Sequence, residues 1–88
     1  MRQAAKRDAN EPEIVAALRG VGASVEMLSG RGIPDLLVGW RGDNYLMEVK
    51  GARGKLTGDQ VTWHDDWRGG VFIVRTVEEA LAILGADY

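Results

Sequence analysis

Two stretches of the chain carry hydrophobic residues at the spacing of one face of an α-helix. The first set is Ile14, Val15, Leu18 and Val21, and the second set is Val77, Ala80, Leu81 and Leu84. Asn10 precedes the first stretch as an N-cap, and Glu13 stands where it would complete a capping box. Thr76 and Glu79 repeat that relation before the second stretch, and Gly85 follows it. The pattern therefore predicts one helix near each end of the chain.

A further helix is predicted after a basic, glycine-rich loop at residues 51–56. Thr57 is a suitable N-cap, and Gln60 lies in the capping-box position. Gln60, Trp63 and Trp67 share one face of this helix, and the pair Gly69-Gly70 ends it. The two tryptophans are interpreted as core or dimer-interface residues, with base stacking as the less favoured alternative.

Between the helices, short hydrophobic runs predict four strands, at residues 23–28, 33–40, 45–50 and 71–74. Alternation along the third strand places Leu46, Glu48 and Lys50 on one face of the sheet. A turn at residues 41–44 would pair the second and third strands as a hairpin. The resulting order, α-β-β-β-α-β-α, predicts an α/β fold in which helices flank a mixed sheet.

The composition is that of a globular domain, and it excludes several classes of protein. We expect a single domain over residues 1–88, with residues 1–9 as a flexible N-terminal extension. The sequence contains no cysteine, which excludes disulfides and cysteine-based metal sites. It also shows no segment typical of a membrane span or a signal peptide. A cytoplasmic protein without a membrane partner is therefore expected.

Charge is distributed unevenly along the chain. The net charge of −2 counts against a protein that simply coats DNA. Residues 31–55 nevertheless hold five basic side chains against three acidic ones. Among the basic residues, Arg31, Arg53 and Lys55 lie in glycine-rich loops and are candidates for phosphate contacts. Solvated surface charge is the alternative interpretation, and the sequence leaves both open.

The most informative feature is Pro34-Asp35 followed at a distance by Glu48-Val49-Lys50. Glu48 and Lys50 share a strand face, and a hairpin would bring Asp35 beside them. Two carboxylates and an ammonium group are costly to bury unless something compensates their charge. Mg²⁺ or Mn²⁺ would do so, because both prefer hard oxygen ligands, and such an ion can assist phosphodiester hydrolysis. A solvent-facing salt bridge and a turn aspartate are the alternative explanation of these residues.

In these segments the chain resembles the VRR-NUC branch of the PD-(D/E)xK, restriction-endonuclease-like nuclease superfamily. The resemblance rests on GIPDLLVG at residues 32–39, LMEVK at residues 46–50 and LTGDQ at residues 56–60. It extends over most of residues 11–84, including the tail from Gly69.

The resemblance implies a role for individual residues. The catalytic aspartate, glutamate and lysine fall on Asp35, Glu48 and Lys50, and the helix glutamine falls on Gln60. The acid of the first helix falls on Glu13, and the carbonyl of Val49 is implied as a further metal ligand.

Two of these residues, Glu13 and Gln60, have a competing structural explanation. Glu13 is equally suited to its capping box with Asn10, in which case it needs no metal. Gln60 faces the same choice with Thr57, and we expect the cap and the site to exclude each other for this side chain. His64 is the only histidine, so no second histidine offers metal-ligand spacing, and an exposed position is expected.

The favoured hypothesis is a Mg²⁺- or Mn²⁺-dependent endonuclease that leaves 5′-phosphate and 3′-hydroxyl ends, as the resemblance implies. Standalone members of the branch resemble this short chain, which implies a homodimer acting on branched DNA such as four-way junctions. The alternative is a non-catalytic module that keeps the fold to bind DNA or another protein.

Overall fold

The computed structural model describes residues 7–86 and has the predicted order of elements. The described helices are α1 (Glu11–Gly20), α2 (Gly58–Asp66) and α3 (Val77–Leu84). The described strands are β1 (Ser24–Met27), β2 (Leu36–Trp40), β3 (Asp43–Val49) and β4 (Phe72–Val74). No helix within this part of the chain is long and apolar enough to cross a bilayer.

The strands form a mixed sheet in the order β1-β2-β3-β4. β2 pairs antiparallel with β1 and β3, whereas β4 pairs parallel with β3. The turn between β2 and β3 contains only Arg41 and Gly42, so β3 begins two residues earlier than the sequence predicts. The register sets Leu36 opposite Met47 and Glu48 opposite Ile73. This topology confirms the predicted α/β fold with a mixed sheet.

One face of the sheet carries the hydrophobic core. Its strand residues are Val25, Leu36, Val38, Met47, Val49 and Val74, and α1 and α3 pack against them. The predicted stripe of α3 is confirmed, because its four hydrophobic residues are all buried. β4 differs from the expected buried strand: Phe72 and Ile73 are exposed, since β4 lies at the edge of the sheet.

The helix ends follow the predicted caps in α2 and α3 but not in α1. Thr57 and Gln60 form a full capping box, and the Thr76 side chain accepts a hydrogen bond from the Glu79 amide. Asn10 instead has helical backbone angles and makes no side-chain cap. Its amide donates to the carbonyl oxygens of Lys50 and Arg75, at 3.0 and 2.8 Å. Asn10 therefore ties the start of α1 to the end of β3.

α2 lies over the other face of the sheet and is attached mainly by polar contacts and close backbone packing. None of its residues, Gly58–Asp66, is fully buried. The loop before β2 approaches it closely: a Cβ added to Gly32, whose φ is 76°, would lie 2.5 Å from the Asp59 carbonyl oxygen. Arg31 in the same loop pairs with the Asp59 carboxylate at 2.9 Å. The loop at residues 29–32 therefore helps to set the position of α2.

We expect Gly32→Ala to lower the free energy of unfolding by about 1–3 kcal/mol through backbone strain, and further through its clash with Asp59. Gly42→Ala measures the cost of backbone strain without a clash, because Gly42 also has a positive φ but no atom lies within 4 Å of an added Cβ. Gly20→Ala in α1 should be neutral or stabilising by up to about 1 kcal/mol. Urea unfolding of the three variants measures these effects, and equal losses for Gly32→Ala and Gly42→Ala would contradict a tight contact with α2.

Candidate active site

Asp35 and Glu48 are brought together where β2 and β3 pair. Asp35 lies directly before β2, and its Oδ2 accepts a hydrogen bond of 2.8 Å from the Val49 amide. Glu48 is the neighbouring residue on β3, and only 1% of it is exposed. The Asp35 carboxyl group is close enough to Glu48 to contribute to the raised pKa of Glu48. The predicted hairpin therefore does place these two acids side by side.

The pKa of Glu48 is raised from 4.5 to about 8. Burial makes the largest contribution, because a charged carboxylate loses its hydration in the protein interior. The Asp35 carboxyl group adds to the rise through hydrogen bonding and charge repulsion, and the Lys50 ammonium partly offsets it. At neutral pH and without a bound cation, Glu48 is therefore mostly protonated.

Lys50 follows β3, and only 9% of it is exposed. Its backbone is fixed on both sides, since its amide donates to the Val74 carbonyl and its carbonyl accepts from Asn10. The charge of its ammonium acts on Glu48. The structure thus groups Asp35, Glu48 and Lys50 as the strand alternation predicts.

Gln60 takes part in both the helix cap and the carboxylate cluster. Its Oε1 accepts a hydrogen bond from the Thr57 amide at 2.9 Å, and its Nε2 donates to Glu48 Oε2 at 3.1 Å. The expectation that these two roles exclude each other is wrong. A side-chain amide has an acceptor and a donor at opposite corners, so one end caps the helix while the other reaches the carboxylate.

His64 also belongs to this cluster, which the sequence did not predict. Its side chain is only 12% exposed, and its Nε2 lies 3.5 Å from Glu48 Oε1. The predicted exposed position of His64 is therefore wrong, because that prediction rested only on the absence of a second histidine at metal-ligand spacing. The informative signal was its distance of four residues from Gln60, which places both side chains on one face of α2.

The acid of α1 that lies near the site is Glu11, and the assignment of Glu13 is corrected. The buried face of α1 contains Glu11, Ile14, Val15 and Leu18, at a helical repeat that leaves Glu13 exposed on the opposite side. Glu11 is 2% exposed, and its pKa is raised chiefly by burial, with a contribution from Asp35. The capping box expected for Glu13 is likewise absent, because the side chain of Asn10 is directed elsewhere.

Arg7 is a basic residue beside these acids that the sequence did not identify. Its Nη1 lies 2.8 Å from Glu11 Oε2 and 3.6 Å from Asp35 Oδ1, and its Nη2 donates to the Leu28 carbonyl. Residues 1–6 of the expected N-terminal extension lie outside the described residues. At the described end of that extension, Arg7 supplies positive charge to the carboxylate cluster.

The three candidate phosphate-binding residues are all exposed. Arg31 is 87% exposed but already pairs with Asp59. Arg53 and Lys55 lie in the loop that joins β3 to α2 and starts next to Lys50. The loop residues are therefore available to a large ligand that approaches Lys50, although their contact with DNA stays a prediction.

A VRR-NUC domain structure resembles this chain over nearly its whole length. That structure is described as a VRR_NUC domain; it has 28% sequence identity and a TM-score of 0.69, and the match covers 92% of this chain and 100% of the other. No protein-family model matches the sequence, and no curated protein does.

The raised pKa of Glu48 predicts a pH-dependent stability. Between about pH 4.5 and 8, folded Glu48 keeps a proton that the unfolded chain has lost. The free energy of unfolding should therefore fall as pH rises through this range, by at most about 1.4 kcal/mol per pH unit, and level off above it.

Glu48→Gln should reduce this slope, whereas Glu13→Gln should keep it, because Glu13 is exposed. Some slope of the same sign should remain from Glu11, whose pKa is also raised. Chemical denaturation in EDTA between pH 5 and 9 measures all three proteins. Equal slopes for the wild type and Glu48→Gln would contradict the assignment.

Proposed function

Because the chain is a VRR-NUC domain, we propose that it is a metal-dependent endonuclease of the PD-(D/E)xK type that hydrolyses DNA phosphodiester bonds. The observation that carries this proposal is the pairing of buried Glu48 with Asp35, within the field of the Lys50 ammonium. A protein that only binds DNA gains nothing from carboxylates placed where phosphates must approach. A merely structural pair would also leave unexplained why an acid is buried against another acid.

The residues of the cluster fit a divalent cation such as Mg²⁺ or Mn²⁺. Asp35 and Glu48 supply hard carboxylate oxygens, and the Val49 carbonyl is a candidate third ligand. Within residues 7–86 no group of three His, Cys, Asp or Glu side chains is arranged to hold a metal, so a main-chain ligand and water would complete the site. Glu11 Oε1, close to this cluster, is buried without a hydrogen-bond partner among the described residues.

The bound cation would supply positive charge for the phosphate in the transition state and would lower the pKa of water. The chain's own residues have separate roles. Asp35 and Glu48 would hold the cation, and Lys50 would stabilise negative charge that develops on the reacting phosphate. Arg53 and Lys55 would contact neighbouring phosphates of the backbone and so orient the strand.

We expect Asp35→Asn and Glu48→Gln each to abolish cleavage while the protein stays folded. Lys50→Met should lower turnover by orders of magnitude and change DNA affinity little, since its charge is needed in the transition state. The assay incubates plasmid and synthetic junctions with Mg²⁺, Mn²⁺ or EDTA. Glu13→Gln is the matched control, because it removes one carboxylate from the exposed side of α1.

Full activity of Asp35→Asn or Glu48→Gln would refute the catalytic assignment. Binding of DNA without cleavage by the wild type, under every metal condition, would favour the non-catalytic DNA-binding module instead. The cytoplasmic setting expected from the sequence stays a prediction.

We further propose that the working unit is a homodimer that acts on branched DNA. The support is an apolar surface on the α2 side of the sheet, where Val61, Trp67 and Ile73 are 44%, 45% and 43% exposed. Trp67 stacks on Trp63 with ring centroids 4.8 Å apart, and neither tryptophan belongs to the hydrophobic core. A two-fold pair of such surfaces would bury these side chains and present two sites to a substrate of matching symmetry.

Ile73→Lys should convert a dimer to a monomer and reduce cleavage of a four-way junction more than it reduces nicking of linear duplex. The control is Met27→Lys, which introduces the same charge at an exposed apolar residue of β1, the opposite edge strand of the sheet. Analytical ultracentrifugation at micromolar concentration gives the oligomeric state. A monomeric wild type that cuts duplex as fast as the junction would contradict this proposal and leave the nuclease assignment standing.

A further inference from the structure

The carboxylate of Glu48 is held by two side chains of α2, one at each oxygen. Gln60 Nε2 lies 3.1 Å from Oε2, and His64 Nε2 lies 3.5 Å from Oε1. Gln60 and His64 are four residues apart, so they project from the same face of one helix.

Holding both oxygens has a physical consequence that one contact does not have. The last torsion of a glutamate side chain has a broad energy profile, so its carboxylate plane rotates readily. A single donor fixes one oxygen and leaves the other to swing around it. Two polar contacts from one rigid helix, one at each oxygen, fix the plane and therefore the direction in which the lone pairs point.

His64 is itself held in place. Its side chain is 12% exposed, and its ring meets the Trp63 ring edge to face with centroids 5.9 Å apart. Gln60 is anchored in turn by the capping box at Thr57. Both side chains are thus fixed before any ligand arrives, which is the condition for a residue that orients a metal-binding group.

We infer that His64 is a positioning residue that, together with Gln60, orients the Glu48 carboxylate toward Asp35 for binding of a divalent cation. This inference rests on the proposed function, because it assigns His64 to the same site. His64 contacts the Glu48 carboxylate, so its effect on the reaction is exerted through Glu48.

The test is Mg²⁺ and Mn²⁺ affinity by isothermal titration calorimetry at one fixed pH, without DNA. We expect His64→Ala to weaken binding about 10–100-fold, as is typical when a partner of a metal ligand is removed. His64→Leu, which fills the space without a donor, should do the same. His64→Gln should restore affinity to within a few-fold of the wild type, because its amide nitrogen can take the place of Nε2.

Asp65→Ala is the matched control, since Asp65 is the exposed neighbour of His64 on the same helix. The affinity of this variant for Mg²⁺ and Mn²⁺ should equal that of the wild type. Thermal unfolding followed by circular dichroism separates a lost fold from a lost orientation. If His64→Ala does not fold, the comparison of His64→Leu with His64→Gln decides alone.

Unchanged cation affinity in His64→Leu or His64→Ala would overturn the inference, and continued DNA cleavage would show that the nuclease assignment survives. Weaker binding in these variants, when the wild type binds the cation but cuts no DNA, would support the inference and refute the proposed function. A wild type that binds neither Mg²⁺ nor Mn²⁺ would refute both.

Discussion

The burial of Glu48 beside Asp35 is the constraint on which the site depends. A carboxylate that is 1% exposed and faces a second acid is unstable as an anion, so it must hold a proton or receive a cation. The surrounding residues provide polar contacts and positive charge near the Glu48 carboxyl group. Gln60 and His64 approach its two oxygens, and Lys50 supplies charge nearby. Arg7 supplies positive charge beside Asp35 and Glu11.

The two sides of the sheet are consequently stabilised by different forces. α1 and α3 bury hydrophobic stripes against one face, where the contribution of each side chain follows from the area removed from water. α2 buries no residue fully, and its contacts are directional: its hydrogen bonds to Glu48, its ion pair with Arg31 and its close approach to Gly32. Directional contacts fix orientation more strictly than apolar packing does, which suits a helix that carries the partners of a buried carboxylate.

Features that follow from local periodicity could be predicted from the sequence, and features that follow from tertiary contacts could not. The stripe of α3 and the alternation that joins Glu48 to Lys50 depend only on the helical and strand repeats, and the structure has both. Asn10 is a good N-cap by residue type, yet tertiary partners at Lys50 and Arg75 take its side chain. With the cap gone, only the buried face of α1 decides which acid points inward, and that face contains Glu11.

Gln60 and His64 show a different limit of sequence analysis. The sequence offers Gln60 either a cap or a site role, and it offers His64 no second histidine as a partner. Their shared partner is Glu48, twelve or more residues earlier in the chain, and only the folded sheet brings it beneath α2. Pairwise spacing on a helix would have revealed them as neighbours, but it could not reveal what they face.

The raised pKa of Glu48 also links cation binding to protons. With a pKa of about 8, Glu48 is mostly protonated at neutral pH, whereas a cation ligand must be a carboxylate. Cation binding therefore has to release a proton from Glu48. The apparent affinity for the cation rises with pH until Glu48 is ionised even in the absence of the cation. Gln60 and Lys50 limit this cost, because a donated hydrogen bond and a nearby positive charge both favour the anion. The arrangement keeps the apo protein stable with a neutral acid while retaining a strong oxygen ligand for a cation.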